Sequence, residues 1–375
     1  MSTKPIYHVA DAIICGLGNN SAEVYKRIAA GESGIKIRSF ETGWRYPVAT
    51  LSEEQDARLQ QAYPAAYSRF ERMCLWVAEQ AFTAAKINPE AENCLIILSS
   101  TKGNIRNLSV ANQEESVPLH YSANKIGAYF KGKNKILTVS VACISGAAAQ
   151  IIAKRWLRAG LYKHAVIIGC DELSPFVLAG FHSFQALSAE ACRPFDAHRS
   201  GLNLGEAAAC LILSTDERIA SGHSKLIGGA ITNDANHLSG PSKTGAELGM
   251  AIVQSLQEAR LAPEQVSFVT AHGTATNYND EMEAKALHFA GISAPVNSLK
   301  SYLGHTLGAS GLIETIISIR AMQANELIPT RNFESSSFAV PINVIKEKKQ
   351  AELANFVKTA AGFGGCNAAL VWAKI

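Results

Sequence analysis

The feature that most constrains the fold of this chain is the alternation of strand-like and helix-like segments along most of its length. Short apolar runs recur between longer segments that carry apolar residues at three- and four-residue spacing. The strand-like runs are 94–98, 136–141, 165–169, 208–213, 266–270 and 368–373, and the helical segments are 67–85, 147–159, 245–261 and 307–323. Such alternation predicts an α/β architecture in which sheets are covered by helices.

The size of the chain allows two lobes of this kind. It has 375 residues, of which 47% are hydrophobic, enough to fill a substantial core. The polar stretch 214–224 lies near the middle, so we predict an N-terminal lobe over 1–215 and a C-terminal lobe over 216–375. The sequence shows no short-period repeat, and any duplication would have to be structural, with strand ends from both lobes meeting at one cleft.

Composition argues against several classes of partner and location. Charged residues make up 18% of the chain, the formal net charge is +3, and no long basic run occurs. Nucleic acid is therefore not an expected partner. The eight cysteines form no C-x-x-C pair, the first residues are too interrupted for a signal peptide, and no apolar run is long enough for a spanning helix. These features predict a reduced, soluble, cytoplasmic protein that does not associate with membranes.

One cysteine lies where a β-branched run gives way to small residues. The stretch V-S-V-A-C-I-S-G-A-A-A runs from Val139 to Ala149 and places Cys143 at a strand-to-helix turn. A helix N-terminus favours the thiolate form of a cysteine, so this is a candidate nucleophile with a lowered pKa. Cysteine is also among the most frequently buried residues, and a purely structural role for Cys143 is the alternative.

Three further stretches carry candidate polar groups. V-T-A-H-G-T-A-T-N-Y-N-D ends a predicted strand at His272, and N-S-L-K-S-Y-L-G-H places Lys300 and His305 before a small-residue helix. A-G-F-G-G-C-N puts Phe363 between glycines whose backbone can approach a ligand. Individually these are consistent with ordinary polar residues and a tight turn. The two histidines lack the spacing of metal ligands, and no metal site is expected.

Together, the four stretches resemble the β-ketoacyl-acyl carrier protein synthases, condensing enzymes of the thiolase fold, and they occur in the same order. The elongating branch of that family uses a Cys-His-His triad, which Cys143, His272 and His305 match. R-P-F-D-A-H-R-S-G-L-N-L-G-E at 193–206 and N-D-A-N-H-L-S-G-P at 233–241 also agree. The resemblance covers nearly the whole chain.

The resemblance implies a thiolase-like fold of two similar α/β lobes in a layered α-β-α-β-α arrangement. It implies a decarboxylative Claisen condensation between an acyl group held on Cys143 and malonyl-acyl carrier protein. No cofactor is expected, because the substrates are carried on the phosphopantetheine of the carrier protein. The resemblance also implies that Lys300 and Glu314 form a buried charged pair that supports the site. The backbone N–H groups of Cys143 and Phe363 would form the oxyanion hole. Phe363 would also act as a gate, with Gly362, Gly364 and Gly365 beside it.

The expected partners are an acidic acyl carrier protein and a second synthase chain, either identical or a noncatalytic homologue. A nearly neutral enzyme needs a local basic patch to bind an acidic carrier. The candidates by resemblance are Arg69, Arg72 and Lys125, with Lys131 as a further one. Ordinary solvated charges are the alternative for each of them.

Several alternatives remain open from the sequence. A thiolase also uses a strand-to-helix cysteine, and its second cysteine would correspond to Cys366. The noncatalytic chain-length partner of a polyketide synthase shares the fold but lacks the nucleophile. The pathway is either fatty-acid elongation or a specialised polyene or polyketide system. T-K-G-N-I-R-N-L at 101–108, including the tunnel candidate Ile105, departs from the apolar stretch common in fatty-acid members.

Overall fold

The structure is a computed structural model that describes residues 4–111, 113–220 and 224–375. The helices of these residues follow the periodicity of the sequence. The predicted helical segments 67–85, 147–159, 245–261 and 307–323 correspond to the helices Arg69–Ala85, Ser145–Arg158, Ala246–Ala259 and Ser310–Ala324. The α-helices are α1 (Ser21–Ala29), α2 (Glu53–Ala62), α3 (Arg69–Ala85), α4 (Leu119–Tyr129), α5 (Ser145–Arg158), α6 (Pro175–Ser183), α7 (Ala246–Ala259), α8 (Asn277–Phe289), α9 (Lys300–Leu303) and α10 (Ser310–Ala324).

Within the ranges that the structure describes, the strands form one ten-stranded sheet and two short ribbons. The main-sheet strands are β1 (Tyr7–Cys15), β4 (Cys94–Ser99), β5 (Leu137–Val139), β6 (His164–Asp171), β7 (Ala207–Ser214), β8 (Ser224–Asn233), β9 (Phe268–Thr270), β10 (Val296–Asn297), β13 (Asn355–Gly362) and β14 (Cys366–Lys374). The ribbons pair β2 (Ile35–Ser39) with β3 (Arg45–Ala49) and β11 (Glu326–Leu327) with β12 (Lys349–Gln350).

The ten-stranded sheet consists of two halves with the same topology. From the junction outwards, the first half runs β1-β7-β6-β4-β5 and the second runs β8-β14-β13-β9-β10. In each half the two pairings nearest the junction are antiparallel and the outer two are parallel. The halves join where Tyr7 of β1 pairs with Lys225 of β8. The chain therefore contains a structural duplication that its sequence does not display as a repeat.

Helices cover both halves in layers. Helices α5 and α10 lie between the two half-sheets, where Ile151 and Ile316 share one core with residues of both halves. Helices α3 and α4 pack on the outer face of the first half, and α7 and α8 on the outer face of the second. The expected α-β-α-β-α arrangement is confirmed. Among the described helices, none combines the length and apolar character needed to cross a membrane.

The duplication brings equivalent connections of the two halves to the same end of the molecule. Cys143 lies between β5 and α5, and His305 lies in the equivalent connection between β10 and α10. His272 follows β9, and Phe363 lies in the hairpin between β13 and β14. Because parallel strands point their carboxyl ends to one edge of a sheet, these connections converge.

Candidate active site

The turn that carries Cys143 is sharply bent and held by a serine. Ala142 has a φ of +44°, in the left-handed region that non-glycine residues seldom occupy. The hydroxyl of Ser145 accepts a hydrogen bond from the N–H of Val141 at 2.8 Å and donates one to the carbonyl of Ala142 at 2.6 Å. These two bonds hold the turn that orients Cys143 toward the cavity.

The small residues after Cys143 allow the two central helices to approach closely. A Cβ atom on Gly146 would lie 2.9 Å from the carbonyl oxygen of Gly308 and 2.9 Å from the nitrogen of Leu312. A larger residue at this position would push α5 away from α10 and separate Cys143 from the segment that carries His305. The glycine of the Ser-Gly-Ala-Ala-Ala stretch is therefore explained by the short distance between the two helices at this position.

Both histidines reach the same cavity as Cys143. The rings of His272 and His305 are 5.2 Å apart between centroids, nearly perpendicular, and both residues are buried. With Cys143 and Phe363 they line a cavity of about 220 Å³. The structure thus brings together the three residues of the predicted triad and the predicted gate.

The hydrogen bonds of the two imidazoles determine where their protons lie. The N–H of Leu307 donates to Nδ1 of His305 at 3.3 Å, and the ammonium of Lys300 lies 3.3 Å from Nδ1 of His272. A backbone N–H and an ammonium group can only donate, so each Nδ1 is an acceptor and the proton of each neutral ring is on Nε2. Each ring therefore has an Nε2–H donor.

Burial keeps both imidazoles neutral. Burial lowers the pKa of His272 well below its usual range, with Lys300 and the neighbouring His305 acting in the same direction. The pKa of His305 is likewise lowered by burial and by the cations Lys300 and Lys358. At neutral pH the pair consists of two uncharged hydrogen-bond donors.

Lys300 and Glu314 form the buried pair that the resemblance implied. The ammonium of Lys300 lies 2.7 Å from the carboxylate of Glu314 and donates to the carbonyl of His272 at 2.6 Å. Both side chains are 1% exposed. The pair therefore supports the backbone and Nδ1 of His272 from behind the cavity.

Two further charged residues surround His272, and the sequence reasoning missed both. Glu283 on α8 accepts hydrogen bonds at 2.7 Å from the N–H groups of His272 and Gly273. Lys358 on β13 forms a second ion pair with Glu314, at 2.8 Å. The sequence does contain a signal for the role of Lys358. It is a lysine in the largely apolar run N-F-V-K-T-A-A-G, which indicates a buried charge that needs a partner.

The glycine-rich hairpin brings backbone against Cys143. A Cβ atom on Gly362 would lie 3.1 Å from the backbone nitrogen of Cys143 and 2.9 Å from the sulfur of Cys366. Gly364 and Gly365 follow with φ values of +84° and +76° at the turn. Gly362 therefore meets the expectation of a close backbone approach at Cys143, and Gly365 makes its close approach to Asp234 instead. Gly364 has no neighbour within 4 Å of a Cβ position, so its positive φ and not a close approach explains the glycine there.

Phe363 is held between two aromatic residues of the α6 region. Its ring stacks on Phe181 with centroids 5.6 Å apart and meets the edge of Phe184 at 5.4 Å. Both phenylalanines line the cavity, whereas Ile105 is buried but is not among the described residues that line it. The wall of the cavity beside Cys143 is therefore aromatic, which the sequence analysis did not anticipate.

The prediction that Cys143 is a thiolate is wrong for the protein without bound substrate. Burial raises the pKa of the Cys143 thiol to about 12, and the nearby Cys366 acts in the same direction. The positive charge of Lys300 opposes this shift but does not offset it. Loss of hydration outweighs the favourable position before a helix, so the sulfur is a thiol at neutral pH.

Arg69 is not the free surface charge that the sequence analysis expected. Its guanidinium lies 2.8 Å from Asp56, 3.3 Å from Glu172 and 2.6 Å from Glu206. The carboxylates of Glu172 and Glu206 are almost completely buried, and burial raises the pKa of Glu172 to about 7. Arg69 therefore neutralises internal carboxylates.

Replacing Arg69 with methionine is expected to lower the free energy of unfolding by about 3 kcal/mol, because buried carboxylates lose their partner. Chemical denaturation measures this change. The matched control is Arg72→Met on the same helix, for which a change below about 0.5 kcal/mol is expected. Equal, small effects of the two substitutions would contradict the structural role of Arg69.

The remaining candidates for carrier-protein docking differ in whether their charge is already paired with a carboxylate of this chain. Lys125 forms an ion pair with the fully buried Glu71 at 2.7 Å and lies over the ring of Tyr67 at 5.0 Å, so its charge is also used internally. Arg72 is half-buried, and no carboxylate lies within ion-pair distance of it in the described part of the chain. Lys131 is exposed. Of the predicted patch, Arg72 and Lys131 keep charges that are not committed to a carboxylate.

Comparison with known proteins agrees with this geometry. Residues 3–218 match the family model "Beta-ketoacyl synthase, N-terminal domain", and residues 223–334 match "Beta-ketoacyl synthase, C-terminal domain". The chain is similar to 3-oxoacyl-acyl-carrier-protein synthase 2 of Coxiella burnetii, with 27% identity over 409 aligned positions that cover 97% of each protein.

Solved structures confirm the thiolase-like fold. A β-ketoacyl synthase from Burkholderia phymatum superposes with a TM-score of 0.88 and 26% identity, covering 99% of this chain and 100% of that one. The ishigamide ketosynthase/chain length factor superposes with a TM-score of 0.91 and 23% identity over the full length of both chains. With both family models matched across most of its length, the chain belongs to the β-ketoacyl synthase family.

Proposed function

We propose that this protein is an elongating 3-oxoacyl-acyl carrier protein synthase that joins an acyl group on Cys143 to a malonyl unit with loss of carbon dioxide. The observation that carries the proposal is the convergence of a cysteine at a bent strand-to-helix turn with two neutral imidazoles in one cavity. A nucleophile and two donors in one buried site are what this condensation needs.

The first step is transfer of the acyl group to the enzyme. The sulfur of Cys143 attacks the thioester carbonyl of the acyl carrier, the carbon–sulfur bond to the carrier breaks, and the proton of Cys143 leaves with the carrier thiol. Because Cys143 is a buried thiol, its proton must be lost as the new bond forms. The carrier leaves and the acyl chain remains on Cys143.

The second step generates the carbon nucleophile. The malonyl thioester loses carbon dioxide, and its carbonyl oxygen becomes an enolate oxygen that needs hydrogen-bond donors. His272 and His305 each supply an Nε2–H group, and burial strengthens their interaction with the developing charge. Neutral donors of this kind do not have to give up a proton during the step.

The third step forms the carbon–carbon bond. The enolate carbon attacks the carbonyl of acyl-Cys143, and the resulting tetrahedral oxyanion is assigned to the backbone N–H groups of Cys143 and Phe363. Gly362 supports this assignment, because its position beside the Cys143 nitrogen allows the hairpin backbone to approach. Collapse of the intermediate breaks the carbon–sulfur bond to Cys143 and releases the 3-oxoacyl product on its carrier. The Cys143 thiolate then takes a proton from solvent and returns to the thiol.

Two observations favour condensation over the alternatives. Cys366, which a thiolase would need as a base, contacts the carbonyls of Val141 and Phe363 and is not among the described residues that line the cavity. Cys143 is present, whereas a noncatalytic chain-length partner lacks the nucleophile. Neither observation selects between fatty-acid elongation and a polyene or polyketide pathway.

The proposed partners are an acyl carrier protein and a second synthase chain in the cytoplasm. The Coxiella burnetii relative is named for an acyl carrier protein, and one structural neighbour is a ketosynthase/chain length factor. The first name supports a carrier-bound substrate, and the second supports pairing with a noncatalytic homologue. We propose a dimer of this heteromeric kind or one of two identical chains. The proposed reaction needs no cofactor or metal ion besides the phosphopantetheine of the carrier.

Incubation of the purified protein with acyl and malonyl carrier proteins tests the proposed reaction. The expected result is a 3-oxoacyl product together with an equal amount of carbon dioxide. Condensation of two acetyl thioesters without release of carbon dioxide would instead indicate a thiolase. Product formation only after addition of a second ketosynthase would indicate a noncatalytic partner.

Charge reversal at Arg72 tests the revised docking surface. Arg72→Glu is expected to raise the Michaelis constant for carrier-bound substrate by about threefold or more, because acidic carriers are attracted by local basic charge. Activity on a small pantetheine thioester is expected to stay unchanged, and salt is expected to weaken the wild-type reaction with the carrier. Equal losses on both substrates would mean that Arg72 supports the fold and not docking.

A further inference from the structure

Glu314 is shared between two buried lysines. One carboxylate oxygen lies 2.7 Å from the ammonium of Lys300, and the other lies 2.8 Å from the ammonium of Lys358. The side chains of Lys300 and Glu314 are 1% exposed and that of Lys358 is 0% exposed. The two lysines come from α9 and β13, so one glutamate joins separate elements behind the active site.

The lysines also bind the strand end that carries His272. Lys358 donates to the carbonyls of Thr270 and Ala271 at 3.4 Å each, and Lys300 donates to the carbonyl of His272 at 2.6 Å. Three successive carbonyls at the end of β9 thus receive hydrogen bonds from ammonium groups. On the opposite side, Glu283 accepts from the N–H of His272.

We propose that Lys358 is a positioning residue for His272: it holds the end of β9 and places a second positive charge behind the two imidazoles. This role rests on the proposed function, because it gives His272 its task as a donor to the enolate. Lys358 does not line the cavity among the described residues, so it acts through Glu314 and the backbone.

The charges around the site explain why a second buried lysine is tolerated there. The charged groups packed around the strand end that carries His272 are Lys300, Lys358, Glu314 and Glu283. Asp280 accepts from the N–H groups of Thr274 and Ala275 just beyond it, and the uncharged His305 and Cys143 lie on the cavity side. The two lysines offset the charges of Glu314 and Glu283, and removal of one lysine would leave more uncompensated negative charge in a buried region. Removal of Lys358 therefore makes it easier for the imidazoles to accept a proton, and their pKa values rise.

Titration of the histidines by NMR tests this role independently of enzyme activity. Lys358→Met keeps most of the side-chain volume and removes the charge, and Lys358→Gln removes the charge but keeps a donor for the carbonyls. In either variant, the pKa of His272 or His305 is expected to rise by about one unit or more. Signals are assigned with His272→Asn and His305→Asn, and Lys358→Gln is used if the Met variant does not fold.

Decarboxylation of a malonyl thioester supplies the second measurement. Loss of Lys358 is expected to lower kcat about tenfold with little change in KM, because His272 is displaced from the enolate and not from the bound substrate. The matched control is Lys154→Met, which removes another buried lysine, on α5, that is paired with Glu258 of α7. The proposal would be overturned by folded Lys358 variants that match Lys154→Met in two respects, the pKa values of the histidines and the rate of decarboxylation. A wild-type protein that fails to decarboxylate would contradict the proposed function instead, while the titration would still test Lys358.

Discussion

Replacement of Cys143 by alanine is expected to lower condensation by about three orders of magnitude or more while leaving the protein folded. No other sulfur lines the cavity among the described residues, so no second thiol there can hold the acyl chain. The change removes little volume, and the expected loss of stability is about 1 kcal/mol. Product formation is measured by mass spectrometry and folding by thermal denaturation.

Two companion variants separate chemistry from structure. Cys210→Ala removes a fully buried cysteine of β7 that lies outside the cavity, and this control is expected to keep normal activity. Cys143→Gln is expected to retain malonyl decarboxylation, because His272 and His305 remain. Normal product formation by Cys143→Ala would show that Cys143 is not the nucleophile.

Replacement of His305 by alanine is expected to slow decarboxylation by about 100- to 1000-fold, the usual effect of removing one donor from a developing oxyanion. Acylation of Cys143 in a single turnover is expected to be much less affected, because the enolate oxygen develops charge only during decarboxylation. Release of carbon dioxide and the mass of the acylated protein measure the two steps separately.

His305→Gln serves as the matched variant, since its side-chain amide can still donate a hydrogen bond. It is expected to retain more decarboxylation than His305→Ala. If acylation and decarboxylation fell by the same factor in His305→Ala, the imidazole would have to take the proton of Cys143 as well, and its assignment as an enolate donor would be wrong. Because the pKa of the buried Cys143 thiol is high, its proton must be removed during acylation. The effect of His305→Ala on acylation therefore shows whether His305 takes that proton.

Local patterns were sufficient to predict much of the fold and the reactive residues. The β-branched run before Cys143 and the small residues after it predicted the strand-to-helix turn, and α5 begins at Ser145 as that pattern requires. The predicted strand before His272 ends at Thr270. These features depend on neighbours in sequence, which is why periodicity and residue type identify them.

Features that depend on long-range contacts were not predictable in the same way. Arg69 appears as a helix surface charge in the sequence, but Glu172 and Glu206, which bind it, come from distant segments. The cavity buries Cys143, and the desolvation that raises its pKa is a property of the assembled site. Lys358 and Glu283 acquire their roles only when β13 and α8 are brought beside β9.

Intact-mass analysis after incubation with acyl carrier thioesters of different chain lengths tests the proposed condensation most directly. One acyl group per chain is expected, mapped by peptide analysis to Cys143, with occupancy that reports the preferred acyl length. Addition of malonyl carrier protein is expected to discharge this group as a 3-oxoacyl product with release of carbon dioxide. An acyl group on another residue, or one on Cys143 that malonyl carrier protein does not discharge, would contradict the proposed reaction.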